Sequence, residues 1–171
     1  MNLSKELLKV PGKKQRDKIV AYVGNDPERF ALLVDIFIEG PYRVTQRASW
    51  PLSYCIEKHP GLLGPHWKKI IALLGKADVH DAVKRNTLRM FQFADVPGQH
   101  QGRVVNLCLK FLADMKEPVA IRVFAMTVLA NITKEVPMLK NELIPLIEDH
   151  LPFATAGFLS RGRKLLKQLK Q

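Results

Sequence analysis

The chain has 171 residues, of which 47% are hydrophobic, so it is long enough for one domain that folds without disulfides or a structural metal. Its two cysteines are too few for a disulfide framework, which favours reduced thiols in a cytoplasmic protein. Its charge-free runs are too short to span a membrane, and the N-terminus has no apolar core of signal-peptide length.

The net charge of +11 is concentrated at the two ends of the chain. Residues 1–26 contribute +3, and residues 152–171 contribute +5 with no acidic side chain. Such a balance favours polyanionic partners by attraction. It is also the kind of charge that keeps a small protein soluble.

The apolar residues recur at helical spacing, and no segment alternates with period two, so the sequence predicts helices and no sheet. Prolines and glycines set most of the boundaries. Pro51 lies inside one predicted helix, which it should kink or shift, and Pro65 is expected to begin the next. In chain order the predicted helices cover residues 4–9, 13–23, 28–38, 44–58, 65–74, 81–94, 103–113, 118–133, 138–148 and 154–169.

A repeated pattern runs through these helices. Five arginines lie near helix starts at similar intervals: Arg16, Arg47, Arg85, Arg122 and Arg161. After each of the first four, a proline introduces another apolar helix. The pattern predicts a single domain, 1–171, of five helical hairpins with approximate bounds 3–24, 27–58, 62–95, 100–134 and 138–170.

Glu117-Pro118 followed by Ile121-Arg122 resembles the HEAT repeat, whose second helix commonly begins with an acid, a proline and a Val-Arg pair. Asp81 with Lys84-Arg85 matches this pattern in part. The resemblance to HEAT and armadillo-like proteins implies an all-α fold, a right-handed α-solenoid of about five antiparallel hairpins with a concave binding surface. In such families the repeated arginine often joins neighbouring repeats in a hydrogen-bonded ladder, a role that would fall here to Arg47, Arg85 and Arg122.

The sequence shows no constellation that indicates catalysis or a metal site. Cys55 and His59 stand four residues apart, but no second pair completes the four ligands of a closed site. The other histidines mostly fall at helix boundaries. Neither a phosphate-binding glycine loop nor a nucleophile elbow is present. We therefore predict a protein that is not an enzyme and that needs no cofactor and no metal.

Polar residues form stripes at helical spacing on three predicted helices, and these stripes would lie side by side on the concave face. The candidate binding residues are Gln46, Trp50, Ser53, Arg85, Arg89, Gln92, Thr127 and Asn131. For each stripe taken alone, an ordinary solvated face is the alternative. A basic tail either caps the last repeat or binds an anionic partner; it consists of Arg161, Arg163, Lys164 and Lys167.

These features predict a scaffold that binds a protein partner on its concave face. The alternative is a nucleic-acid-binding protein that contacts phosphates through the basic residues. The chain is also similar in size, charge and helical content to bacterial HEAT-like glycosylases that repair alkylated DNA. Those enzymes use an acidic residue and tryptophans on the concave face. Here Trp50 and Trp67 fall on different predicted helices, and Asp81 and Asp95 lie at helix ends.

Overall fold

The computed structural model describes all residues 1–171, and its regular structure is entirely helical. None of the helices is long and apolar enough to cross a membrane. The chain forms two compact units, unit 1 (Met1–Ala94) and unit 2 (Asp95–Gln171). The helices are α1 (Leu3–Leu7), α2 (Lys13–Val23), α3 (Pro27–Glu39), α4 (Tyr42–Lys58), α5 (Trp67–Leu74), α6 (Asp81–Phe91), α7 (Gly98–Ala113), α8 (Val119–Ile132), α9 (Lys140–His150) and α10 (Ala156–Leu169). Short 3-10 segments cover Pro60–His66, Pro137–Leu139 and Leu151–Phe153.

Local signals in the sequence explain where the helices of unit 1 begin and end. The Asp26 carboxylate accepts hydrogen bonds from the first backbone N–H groups of α3, and Pro27 occupies the first helical position. His80 caps α6 in the same way, since its Nδ1 accepts a hydrogen bond from the backbone N–H of Ala82. Gly24 ends α2 with φ +53°, a conformation that favours glycine.

In unit 1, α4 packs between α2 and α6, and these three helices form one layer, called here the α2/α4/α6 layer. Helix α3 packs on the other side of α4, and α5 packs on α3 and α6. The core between the α2/α4/α6 layer and helices α3 and α5 is apolar. It includes Phe30, Phe37 and Leu52, all fully buried. The rings of Trp67 and Phe91 lie 4.7 Å apart within it.

Unit 2 has the same kind of packing around α8. Helices α7 and α10 lie against α8, and α9 packs on α8 and α10. Fully buried Ile121, Leu129, Ile147 and Phe158 form the centre of this unit. Amphipathic helices of this kind bury their apolar faces only by stacking on a neighbour, so the packing follows from the apolar spacing.

The all-α, helical-repeat fold class is confirmed. Only α2 has both of its predicted bounds; the other boundaries that differ do so by one to three residues, except the start of α7, which differs by five. Residues 60–66 form a 3-10 segment, so α5 begins at Trp67 and not at Pro65. Helix α7 begins at Gly98, five residues before the predicted start. Helix α4 runs through Pro51 without a shift of its start to that proline. The repeat bounds and the single-domain assignment stay a prediction.

Candidate binding site

A cleft of about 500 Å³ opens on unit 1 among α1, α2, α4 and α6. Four of its lining residues are arginines, and none is an aspartate or a glutamate. These arginines are Arg16, Arg43, Arg47 and Arg85. We call this feature the arginine cleft. Its volume lies in the range of ordinary ligand pockets, and its charge is positive.

Two of the four guanidinium groups are free. Arg43 and Arg85 are exposed, and neither forms an ion pair or a hydrogen bond with another side chain. Arg43 extends from the first turn of α4, and Arg85 extends from α6. Unneutralised charges on one cleft produce a local positive potential that attracts anions.

The other two guanidinium groups are held within the fold. Arg47 Nη1 donates to the carbonyl oxygens of Leu7, Leu8 and Lys9 at 3.1, 2.9 and 3.0 Å, so it binds the end of α1. The Arg16 guanidinium stacks 4.8 Å from the ring centre of Trp50. Arg47 therefore contributes positive charge to the cleft from a fixed position, whereas Arg16 also forms an ion pair with Asp17 at 2.7 Å.

Hydrogen bonds connect α4 to α6 beside the cleft. Asn86 Nδ2 donates to Ser49 Oγ at 3.0 Å and to the carbonyl of Ala82 at 2.8 Å. The side-chain amide of Gln46 lies 3.2 Å from His80 Nε2, and the other ring nitrogen of His80 caps α6. Both helices that carry the free arginines are thus held in one relative position.

Arg89 belongs to a separate network next to the cleft. It forms an ion pair with Glu57, and its Nη1 donates to Ser53 Oγ at 3.2 Å. Its guanidinium lies 4.2 Å from the ring centre of Tyr54, whose ring also has Arg16 at 4.0 Å. The charge of Arg89 is therefore neutralised by the exposed Glu57, whereas Arg85 has no carboxylate partner.

The predicted site residues other than Arg89 fall into three groups. Gln46, Trp50 and Arg85 line the arginine cleft. Ser53 is buried and donates its hydroxyl to the carbonyl of Trp50 at 2.8 Å, and Gln92 follows the last residue of α6. Thr127 and Asn131 belong to unit 2, where Thr127 is buried and donates to the carbonyl of Val123 at 2.9 Å. The exposed Asn131 lines another cleft of about 500 Å³.

The basic residues of α10 have two kinds of environment, one bound within the fold and one exposed. Arg161 Nη1 donates to Thr127 Oγ1 at 3.2 Å, so this arginine joins α10 to α8. Arg163, Lys164 and Lys167 are exposed. Their exposure is compatible both with a polar outer face that ends the repeat and with a surface that binds anions.

Arg122 shows how a repeat arginine stabilises the fold. It is buried, its Nε donates to the carbonyl of Leu112 at 3.2 Å, and its guanidinium lies 4.5 Å from the ring centre of Phe158. Burial lowers the pKa of Arg122. Arg47 thus joins the predicted repeats 3–24 and 27–58, as the resemblance implied. Arg122 binds Leu112 within its own predicted repeat, 100–134, and Arg85 forms no such hydrogen bond.

The sequence reasoning missed Arg43, Arg16 and Tyr54 as parts of this surface. Arg43 stands three residues before Gln46 and seven before Trp50, so helical spacing places it on the same stripe of α4. That signal was present in the sequence. In the sequence, Arg16 indicates only the repeat, because its stacking on α4 depends on tertiary packing.

The Cys55–His59 pair offers no metal site in this arrangement. Cys55 is buried, and burial raises the pKa of its thiol to about 12. His59 follows the end of α4. No three side chains of the types that bind metals lie close enough together to hold an ion.

Helices that pack on one another within each unit, with arginines that bind neighbouring helices, define an α-helical repeat protein. The family model described as HEAT repeat domain matches residues 3–169, so the chain belongs to that family. HEAT repeats are commonly protein-interaction scaffolds and are typically not enzymes. No curated protein and no solved structure matches the chain.

Proposed function

We propose that this chain is a non-enzymatic, cytoplasmic interaction module that binds a protein partner on the α2/α4/α6 layer of unit 1. The observation that carries the proposal is the pair of free arginines in the arginine cleft, Arg43 and Arg85. The surrounding polar groups are largely used within the fold, so these two charges are what the cleft offers to a partner. Membership of the HEAT repeat family supports the same function.

The composition of the cleft also suits a protein interface. Arginine and tryptophan are enriched among the residues that dominate binding energy at protein interfaces. Trp50 is half-buried beside Arg16 and presents part of its ring to the cleft. A partner would therefore meet an aromatic side chain next to exposed cationic side chains, which combines apolar contact with charge recognition.

The test is a comparison of partner capture by three forms of the protein. The first is the native chain, and the second is the Arg43→Glu/Arg85→Glu variant. The third is a matched control, Lys58→Glu/Lys68→Glu, which has the same change of charge on exposed residues outside the cleft. Proteins that bind the native and control forms but not the cleft variant would support the proposal. A set of bound proteins that is identical for all three forms would refute it.

Nucleic-acid binding is the second candidate, and the free arginines and the Trp50 ring of the cleft favour it. The free arginines suit phosphate contacts, and Trp50 offers a ring on which a base could stack. Fluorescence anisotropy with labelled single- and double-stranded DNA and RNA across a salt series tests it. Affinity that falls steeply with salt, and that the cleft variant loses, would establish this function instead.

The glycosylase alternative has little support from the geometry. Trp67 is buried against Phe91, whereas Trp50 lines the cleft, so the two tryptophans do not share a site. Asp81 begins α6 and lies near Lys84 at 3.8 Å. The lining of the arginine cleft contains no carboxylate that could act in base removal.

A further inference from the structure

We propose that the arginine cleft binds a short acidic segment of the partner, with an anionic side chain held by Arg43 and Arg85. This inference rests on the proposed function and identifies the chemistry of the partner. Either a carboxylate or a phosphate on a peptide would supply that anion, since guanidinium groups bind both through paired N–H donors. Three properties of the cleft lead to it.

The first property is an excess of positive charge with no internal acid. Unit 1 carries 16 lysines and arginines against nine aspartates and glutamates, a net charge of +7. Within the cleft the imbalance is complete, because its lining contains arginines and no acid. Arg47 binds carbonyl oxygens and no carboxylate, so its charge adds to the potential around Arg43 and Arg85, whereas the charge of Arg16 is paired with Asp17.

The second property is preorganisation. Arg43 and Arg85 stand on helices that are joined by the Asn86–Ser49 hydrogen bond at 3.0 Å and by the contact of Gln46 with His80 at 3.2 Å. The backbone that carries the two charges therefore needs no rearrangement when a ligand binds. Only the two arginine side chains become ordered, which limits the entropic cost of binding.

The third property is the small extent of the free charge, which favours a peptide over a nucleic acid. Arg16 of the cleft lining pairs with Asp17 at 2.7 Å, and next to the cleft Arg89 pairs with Glu57. Both carboxylates are exposed. A nucleic-acid strand needs a positive groove that follows several successive phosphates. Here it would pass from one cationic cleft directly to acidic side chains, whereas a short acidic peptide needs only the cleft.

The volume and the aromatic side chain of the cleft agree with this ligand. About 500 Å³ accommodates a few residues of an extended peptide. Trp50 and Ile19 line the same cleft, so an apolar side chain next to the anionic one would find contact there. We therefore expect a segment in which acidic and apolar residues are neighbours.

The experiment measures binding of fluorescent peptides to the purified full chain by anisotropy at low salt. The probes are a short peptide of alternating glutamate and leucine, the same peptide with glutamine for glutamate, and the same peptide with phosphoserine for glutamate. A single-stranded oligonucleotide of equal net charge is the fourth probe. We expect the glutamate or phosphoserine peptide to bind at least about tenfold more tightly than the glutamine peptide. The comparison of the two anionic peptides shows which anion the cleft prefers.

The variants decide whether the cleft is the site. Arg43→Gln/Arg85→Gln should weaken binding of the anionic peptide by about tenfold or more, whereas Lys58→Gln/Lys68→Gln should change it by less than about twofold. All four residues are exposed, and an unchanged thermal transition verifies that each variant is folded. Equal binding of the glutamate, phosphoserine and glutamine peptides would overturn the proposal. Tighter, cleft-dependent binding of the oligonucleotide would overturn it as well.

This experiment also separates the inference from the proposed function. If partner capture depends on Arg43 and Arg85 but no anionic peptide binds, the acidic-segment proposal fails while the interaction module stands. If neither partner capture nor peptide binding depends on the two arginines, both proposals fail. Peptide binding that both arginines support is the result we expect.

Discussion

Replacement of Arg47 by alanine separates an arginine that stabilises the fold from one that is free to bind. Arg47 Nη1 contacts three carbonyl oxygens at the end of α1, whereas Arg43, one turn earlier on α4, is exposed and unpaired. The two residues line the same cleft and carry the same charge. A difference in stability between the two alanine variants therefore reports on the hydrogen bonds and not on charge.

The expected loss of unfolding free energy follows from the hydrogen-bond geometry of Arg47. One nitrogen with two hydrogens cannot make three full hydrogen bonds, so the three contacts count as about two bonds from a charged donor. A hydrogen bond to a charged group is worth about 1.5–3 kcal/mol, and two of the three carbonyls regain water when the arginine is removed. Arg47→Ala should therefore lower the free energy of unfolding by about 2 kcal/mol. For a chain of this length that corresponds to a fall in Tm of about 4–8 °C.

Urea denaturation measures the free energy, and hydrogen exchange locates the effect. Exchange of the amides in α1 should accelerate by about tenfold or more in Arg47→Ala, since α1 loses the contact that binds its end to α4. Arg43→Ala should stay within about 0.5 kcal/mol of the native chain. If Arg47→Ala were as stable as Arg43→Ala, the assignment of Arg47 to the fold would be refuted.

Three further predictions concern groups outside the cleft. Because burial raises the pKa of Cys55 to about 12, its thiol should resist alkylation near pH 8 in the native protein and react once urea unfolds the chain. Burial, and then the charge of Arg122, lower the pKa of His150. The unfolded chain therefore binds more protons at this group, so we expect Tm to fall as pH drops below about 6.5, and His150→Asn should reduce that slope. Gly102 lies inside α7 with open space around its Cβ position, so Gly102→Ala should raise the free energy of unfolding by roughly 0.5–1 kcal/mol, as measured by urea denaturation. An alkylated native Cys55, a flat pH profile or a destabilised Gly102→Ala variant would each contradict the corresponding argument.

The sequence predicted the helices well where their boundaries depend on nearby residues. Helix α2 has the predicted bounds Lys13–Val23, because a glycine precedes it and another ends it. The prediction misses the start of α7, where one of the two groups bound by Gln101 is distant in the sequence. Gln101 Nε2 donates to the carbonyl of Val96 at 3.1 Å and to Glu135 Oε2 at 2.6 Å, which holds this glycine-containing turn in helical form. No local pattern reports a partner more than thirty residues away.

The candidate site was predicted in part for a similar reason. Spacing on a helix identified Gln46, Trp50 and Arg85, which do line one cleft. It could not show that the Ser53 hydroxyl donates to a carbonyl of its own helix and is buried. It also could not show that Glu57 neutralises Arg89 while leaving Arg85 free, since that difference depends on how α4 packs against α6.

Arg85 differs from the other repeat arginines because its guanidinium group has no partner within the fold. Arg16 stacks on α4, Arg47 binds the end of α1, Arg122 binds α7, and Arg161 binds α8. Arg85 occupies the same place in the repeat and contacts neither a carbonyl nor a ring of a neighbouring helix. A repeat position that keeps its arginine without the structural partner contributes little to folding, so its charge is available to a ligand. For that reason we expect replacement of Arg85 to weaken binding while leaving the free energy of unfolding nearly unchanged.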